Sequence, residues 1–167
     1  MMGDREIGCL LSGGLDSSLI AALVNEELKR VDSSAKLYTF TIGMKASPDV
    51  EAARLMANHI GSCHKEILFT EEEGISHLDE VIKCIESYDV TTVRASTAMY
   101  LISKWISENS KCAVIMSGEG SDELCQGYLY FKNAPSAEEA DKESRRLLND
   151  IYLYDGLRAD RTTANSG

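Results

Sequence analysis

Four short apolar runs, set apart by segments of helical periodicity, constrain this chain more than any other feature. The runs are Ile7–Leu11, Lys36–Ile42, Lys65–Phe69 and Cys112–Met116. Their length and their aliphatic, aromatic and β-branched content read as buried strands. Between them, 15–28, 48–60, 71–88 and 95–109 carry helix-period patterns, and a last helix is predicted over 136–154. Local signals agree with the pattern. Ser47-Pro48-Asp49 offers a capping hydroxyl, a proline for the first helical position and an acid for the first turn, and Gly61 supplies a stop. Ser136-x-x-Glu139 has the form of a capping box. Strands alternating with helices predict an α/β fold, a Rossmann-like parallel sheet with helices on both faces. Right-handed crossovers and a doubly wound sheet make 3-2-1-4 the expected strand order. In that order the chain reverses across the sheet between strands 1 and 4, and a crevice opens at their carboxyl ends.

The two richest motifs follow those two strands. The first is Ser12-Gly13-Gly14-Leu15-Asp16-Ser17-Ser18. Its glycines allow a sharp turn and close approach of a ligand to the backbone. Its amides at a helix start, with three hydroxyls, form an anion cradle. A Walker loop would need a lysine; here an aspartate stands inside the loop instead, and carboxylate repels phosphate. Asp16 fits if it holds Mg²⁺ that the phosphates share. A helix N-terminus supplies only about half a unit charge, too little to balance a pyrophosphate. The second motif is Ser117-Gly118-Glu119-Gly120-Ser121-Asp122-Glu123. Carboxylates this close raise one another's pKa unless a cation sits among them. Asp122 is the candidate second metal ligand, and Glu119 the candidate for proton handling or for steering a lysine. A third stretch, Thr91-Thr92-Val93-Arg94-Ala95-Ser96, precedes a predicted helix. Arg94 could hold a substrate carboxylate bidentately, and reads equally well as a surface arginine.

Composition narrows the partners. The net charge is −10, and the dense charge runs Glu71-Glu72-Glu73 and Glu138-Glu139 are acidic. A nucleic-acid binder needs a basic stripe, so nucleic acid is not an expected partner; the acidic runs read as solvated helix faces. Five cysteines without a close-spaced pair predict reduced thiols in a cytoplasmic protein, Cys9 and Cys112 buried among them. Cys63-His64 reads as structural rather than as a ligand pair, and His59, His64 and His77 as surface or rim residues. No stretch approaches the roughly 20 apolar residues of a membrane helix.

Ser12–Ser18 resembles the SGGxDS signature of pyrophosphate-loop ATPases, which cleave ATP between the α and β phosphates. GMP, NAD, argininosuccinate and asparagine synthetases belong to that group. The second motif with Gly127-Tyr128-Leu129-Tyr130-Phe131, the block Glu86–Ser96, and Leu157-Arg158-Ala159-Asp160-Arg161-Thr162-Thr163-Ala164 are similar to asparagine synthetases, the eukaryotic ones in particular. The likeness runs from about Arg5 to Ala164. It implies an adenine nucleotide α-hydrolase-like fold. It implies that Leu10, Ile42, Ser117 and Gly118 hold ATP, Ile42 against the adenine. Ser12, Gly13, Gly14, Ser17 and Ser18 would cradle pyrophosphate, Asp16 and Asp122 bind magnesium, and Glu119 serve adenylate formation. Thr92, Arg94 and Glu123 would lie on the aspartate side. The implied reaction is adenylation of the L-aspartate β-carboxylate by ATP, then amidation by ammonia with release of AMP.

The family pattern starts with a glutaminase domain whose nucleophile is an N-terminal cysteine, whereas this sequence starts Met1-Met2-Gly3. The pattern continues past Ala164 to a catalytic lysine, whereas this sequence closes on Asn165-Ser166-Gly167. The expectation is therefore one ATP-pyrophosphatase domain over 1–167, short of the family pattern at both ends, dependent on another domain for ammonia and weak or inactive in turnover alone. The resemblance leaves room for a homodimer. The competing readings are another pyrophosphate-loop ATPase, such as one that modifies tRNA, and a nucleotide-binding module without catalysis.

Overall fold

The computed structural model describes residues 5–164. Four strands, β1 (Glu6–Leu10), β2 (Tyr38–Gly43), β3 (Cys63–Leu68) and β4 (Cys112–Met116), form one sheet in the order β3-β2-β1-β4. Every pairing is parallel, as the alternation of strands and helices predicts. Registers such as Cys9 opposite Thr39 and Met116 bring the carboxyl ends of β1, β2 and β4 to one edge.

Helices cover both faces because successive β1 side chains point to opposite sides. On one face Cys9 and Leu11 pack with Leu37, with Ala21 of α1 (Leu15–Val31) and with Ala53 and Ala57 of α2 (Pro48–Ile60). The small alanines let both helices approach the sheet closely. Asn25 of α1, buried at this seam, donates from Nδ2 to the Ile60 carbonyl oxygen at 2.9 Å and so satisfies the end of α2. On the other face Phe40 of β2 packs with Ile102 and Ile106 of α5 (Val90–Asn109), its ring tilted against Trp105. Complete burial of a side chain of this size contributes about 1.5–3 kcal/mol. Behind α5, Tyr100 packs with Val81, Cys84 and Ile85 of α4 (Leu78–Ile85).

The structure departs from the sequence expectations where long-range packing overrides local pattern. The predicted helix over 71–88 is two helices, α3 (Glu71–Ser76) and α4, meeting at His77. The start of α3 has a Thr70–Glu73 capping box. Helix α5 begins at Val90, not at 95, because the Asp89 carboxylate accepts from the Thr92 amide at 2.8 Å and caps it. This outweighs the weak helix propensity of Val90, Thr91 and Thr92. The Ser47 hydroxyl makes no cap bond, although Pro48 and the left-handed Gly61 bound α2 as expected. The predicted helix over 136–154 stops early: α7 (Ala137–Asp150), capped by Ser136, ends in a 3-10 turn at Ile151–Leu153. Two helices went unread, the short α6 (Ser121–Cys125) and α8 (Asp155–Ala164). Cys9 is buried, and burial pushes its thiol up to about 11. Cys112 is half-buried, a correction that follows from β4 lying at the edge of the sheet. Among the described residues no helix is long and apolar enough to cross a membrane.

Candidate active site

The two glycine turns lie against each other at the carboxyl ends of β1 and β4. In the first, the left-handed conformation of Gly13, φ 80°, swings the chain from strand to helix. The turn is tied by its own hydroxyls. Ser12 Oγ and Ser17 Oγ are 2.9 Å apart, and the Ser12 amide donates to Ser17 Oγ at 3.2 Å. In the second, the Glu119 amide donates to Ser117 Oγ at 3.1 Å and Ser121 Oγ donates to the Gly118 carbonyl at 2.7 Å. Contact between the turns is direct: a Cβ added at Gly118 would stand 2.9 Å from the Ser17 nitrogen and 3.0 Å from the Asp16 carbonyl carbon. Glycine at 118 is thus what lets the second turn close on the start of α1.

A crevice of about 430 Å³ opens over this junction. One wall is apolar, with Leu10, Phe40, Ile42, Met99 and Ile102; the other is made by the two turns. Of the residues expected from sequence, Leu10, Ser12, Gly14, Asp16, Ser17, Ile42, Ser117, Gly118, Glu119, Asp122 and Glu123 line it. Gly13 and Ser18 do not line it: Gly13 shapes the loop from behind, and Ser18 has a buried hydroxyl with no partner among the described residues. Thr92 and Arg94 are not in the wall. Thr92 stands in the first turn of α5, where its hydroxyl donates to Asp89 at 2.8 Å, and Arg94 is the fifth residue of that helix. Arg94 is exposed and borders a separate apolar hollow with Met44, Phe69 and Tyr88.

Three ionisable wall residues were given no role by the sequence, namely Tyr128, Asp155 and Arg158. They form one network with the second turn. The Tyr128 hydroxyl donates to a Glu123 carboxylate oxygen, and Arg158 Nη2 pairs with both Asp155 and, at 3.4 Å, Glu119. The Glu123 main-chain carbonyl is also held, by Ser144 Oγ of α7. Burial pushes the Asp155 carboxyl up to about 6, helped by its hydrogen bond to Glu123 and opposed by Arg158. Burial also pushes Glu123 up, but hydrogen bonds from Asp155 and Tyr128 outweigh it and leave Glu123 below the usual range. When the pair holds a single proton, that proton sits on Asp155. Burial and the Glu123 carboxylate together raise the Tyr128 hydroxyl well above the ordinary tyrosine value, so it stays a donor.

This proton has a measurable consequence. The native pKa of Asp155, about 6, lies above its usual 3.8. Stabilisation from the bound proton is complete below the unfolded value and is lost as pH rises through the native one. Asp155→Asn does not titrate. The stability of the wild-type chain relative to this variant is expected to fall between about pH 4 and about pH 7, read by urea unfolding at stepped pH. A difference that stays flat across that window would contradict the proton assignment.

A parallel 3-2-1-4 sheet with two glycine turns meeting at its reversal point, beside a crevice with one apolar wall, defines a doubly wound α/β domain with its candidate site at the carboxyl ends of β1 and β4. Sequence comparison makes the assignment specific. The chain belongs to the asparagine synthase family, whose model matches residues 1–167. It is 63% identical to the glutamine-hydrolysing asparagine synthetase of Bos taurus, 62% to that of Homo sapiens and 59% to that of Gallus gallus, each over 100% of this chain. The chain spans 30% of the length of these relatives.

Proposed function

We propose that this chain binds Mg-ATP in the crevice between the two glycine turns and adenylates the β-carboxylate of L-aspartate, in a pathway that makes asparagine. The observation that carries the proposal is the packing of Gly118 on Ser17 and Asp16, which puts the loops after β1 and β4 into one site. Family membership supports the choice of substrate. The adenine would lie against Leu10 and Ile42. The phosphates would take amides at the start of α1 and the Ser12, Ser17 and Ser18 hydroxyls, the last of which has no hydrogen-bond partner among the described residues.

Magnesium fits the donor set. Asp16 and Asp122 both line the crevice. Among the described residues no group of three or more His, Cys, Asp or Glu is arranged to hold a metal, so phosphate oxygens and water would complete the shell, the usual habit of Mg²⁺. When bound, the ion would balance the charge of the leaving pyrophosphate. The protein itself orients the two reactants and keeps hydrogen-bond donors aimed at the phosphates. The aspartate oxygen would attack the α-phosphorus as the bond to pyrophosphate breaks. Ammonia would then attack the acyl carbon as AMP leaves, ammonia being supplied by a glutaminase domain. Of the carboxylates lining the crevice, Glu119 would serve adenylate formation and Glu123 would face the aspartate side. A cytoplasmic setting accords with the reduced cysteines.

The test mixes the chain with ATP, Mg²⁺, aspartate and ammonium and follows pyrophosphate. Tight Mg-ATP binding with slow, aspartate-dependent release is expected. Nucleotide binding with no aspartate dependence would favour a binding module instead, and failure to bind Mg-ATP would refute the site.

A further inference from the structure

The crevice wall is crowded with carboxylates, Asp16, Glu119, Asp122, Glu123 and Asp155, and among the described residues lining it Arg158 is the one lysine or arginine. Arg158 comes from α8, and its side chain is only 17% exposed. One nitrogen, Nη2, meets two acids: Asp155, one turn earlier on the same helix, and Glu119, in the second glycine turn. Its Nε is buried with no acceptor among the described residues. A guanidinium held this way has its direction set by Asp155, and it reaches Glu119 from outside the loop that carries Glu119. Glu119 itself is 38% exposed in its side chain and its carboxylate has no other ion-pair partner among the described residues.

We propose that Arg158 is a positioning residue for Glu119. Anchored by Asp155, its guanidinium fixes the Glu119 carboxylate at the crevice mouth so that this acid meets the substrate in one orientation. Without it, Glu119 would swing among solvent-facing rotamers on a loop with a left-handed glycine, Gly120, at its next position. The arginine does not bind the phosphates. The kinetic part of this inference rests on the adenylation reading, and the contact itself does not.

Two measurements test it. The first is a double-mutant cycle of Arg158→Ala and Glu119→Gln, read by urea unfolding, which needs no turnover. The two losses are expected to be non-additive by about two- to fivefold in the folding equilibrium constant, the range of a half-exposed charge pair. Strict additivity would overturn the contact. The second follows aspartate-dependent pyrophosphate release. In Arg158→Ala, kcat is expected to fall roughly 10- to 100-fold while KM for Mg-ATP changes less than about twofold, because only the transition state loses the oriented acid. Arg158→Lys, or added guanidinium ion with Arg158→Ala, is expected to restore part of the lost rate. A raised KM for Mg-ATP at unchanged kcat would show direct phosphate binding and overturn the proposal. A wild-type chain that binds Mg-ATP without aspartate-dependent release would favour the binding-module reading over adenylation, and the unfolding cycle would still decide the positioning claim.

Discussion

Asp16→Ala is expected to weaken Mg-ATP binding by about 100-fold or more, the scale of removing one ligand from a catalytic metal worth several kcal/mol. The sign of the effect makes it informative. Five carboxylates line the crevice against one arginine. ATP brings several more negative charges, and the helix start offers only about half a positive one. If no cation bridged them, deleting Asp16 would relieve repulsion and tighten nucleotide binding. The account predicts both behaviours under separate conditions. With Mg²⁺ the variant loses affinity; with a chelator present it binds ATP as well as the wild type or better. Titration calorimetry in the two buffers reads this directly. Equal affinities of the two proteins in Mg²⁺ would remove the metal role from Asp16.

Gly13→Ala is expected to cost roughly 2–5 kcal/mol of stability, adding about 1–2 for an L-residue held left-handed to about 1–3 for overpacking. Gly13 sits at φ 80°, and a Cβ there would lie 2.5 Å from the carbonyl carbon of Ala52 and 2.6 Å from the nitrogen of Ala53. The clash is with backbone of α2, which no side-chain rotation relieves. The melting temperature is expected to drop by about 5–15 °C for a chain of this size. Gly61→Ala is the control. Gly61 is also left-handed, φ 71°, but a Cβ there meets nothing within 4 Å. That variant should lose about 1 kcal/mol, from strain alone. Similar losses in the two variants would mean that the first turn is not wedged against α2.

Much of this was legible in the sequence because the signals are local. A buried parallel strand is a short apolar run, and a glycine–hydroxyl turn after it announces a ligand loop at the sheet edge. So β1, β2 and β4 and both turns could be read from neighbouring residues, and strand order followed from handedness. Helix α5 was started late because Val90, Thr91 and Thr92 favour extended backbone, and the Asp89 cap that overrides them lay just before them. Thr92 and Arg94 lie just before Ala95, Ala98 and Met99, the residues of α5 that meet the crevice. Leu19 and Leu23 fit a helical stripe, yet they face outward, and the buried side of α1 is carried by Ala21 and Asn25. Val24 and Leu28 pack on that same core from the next turns of the helix. The Tyr128–Asp155–Arg158 network was invisible for another reason. Asp155 and Arg158 look like a solvated pair on a polar helix, and only the packing of α8 against α5 and α4 brings them beside residues more than 30 positions away.

The central claim is that the loops after β1 and β4 hold one metal–nucleotide complex between them. Paramagnetic broadening by Mn-ATP tests it most directly, read on the backbone amide signals of the labelled chain. Signals from 12–18 and from 117–122 are expected to broaden together at substoichiometric Mn-ATP, to recover when Mg-ATP displaces it, and to leave 28–31, at the far end of α1, far less affected. Broadening confined to one of the two turns would contradict it.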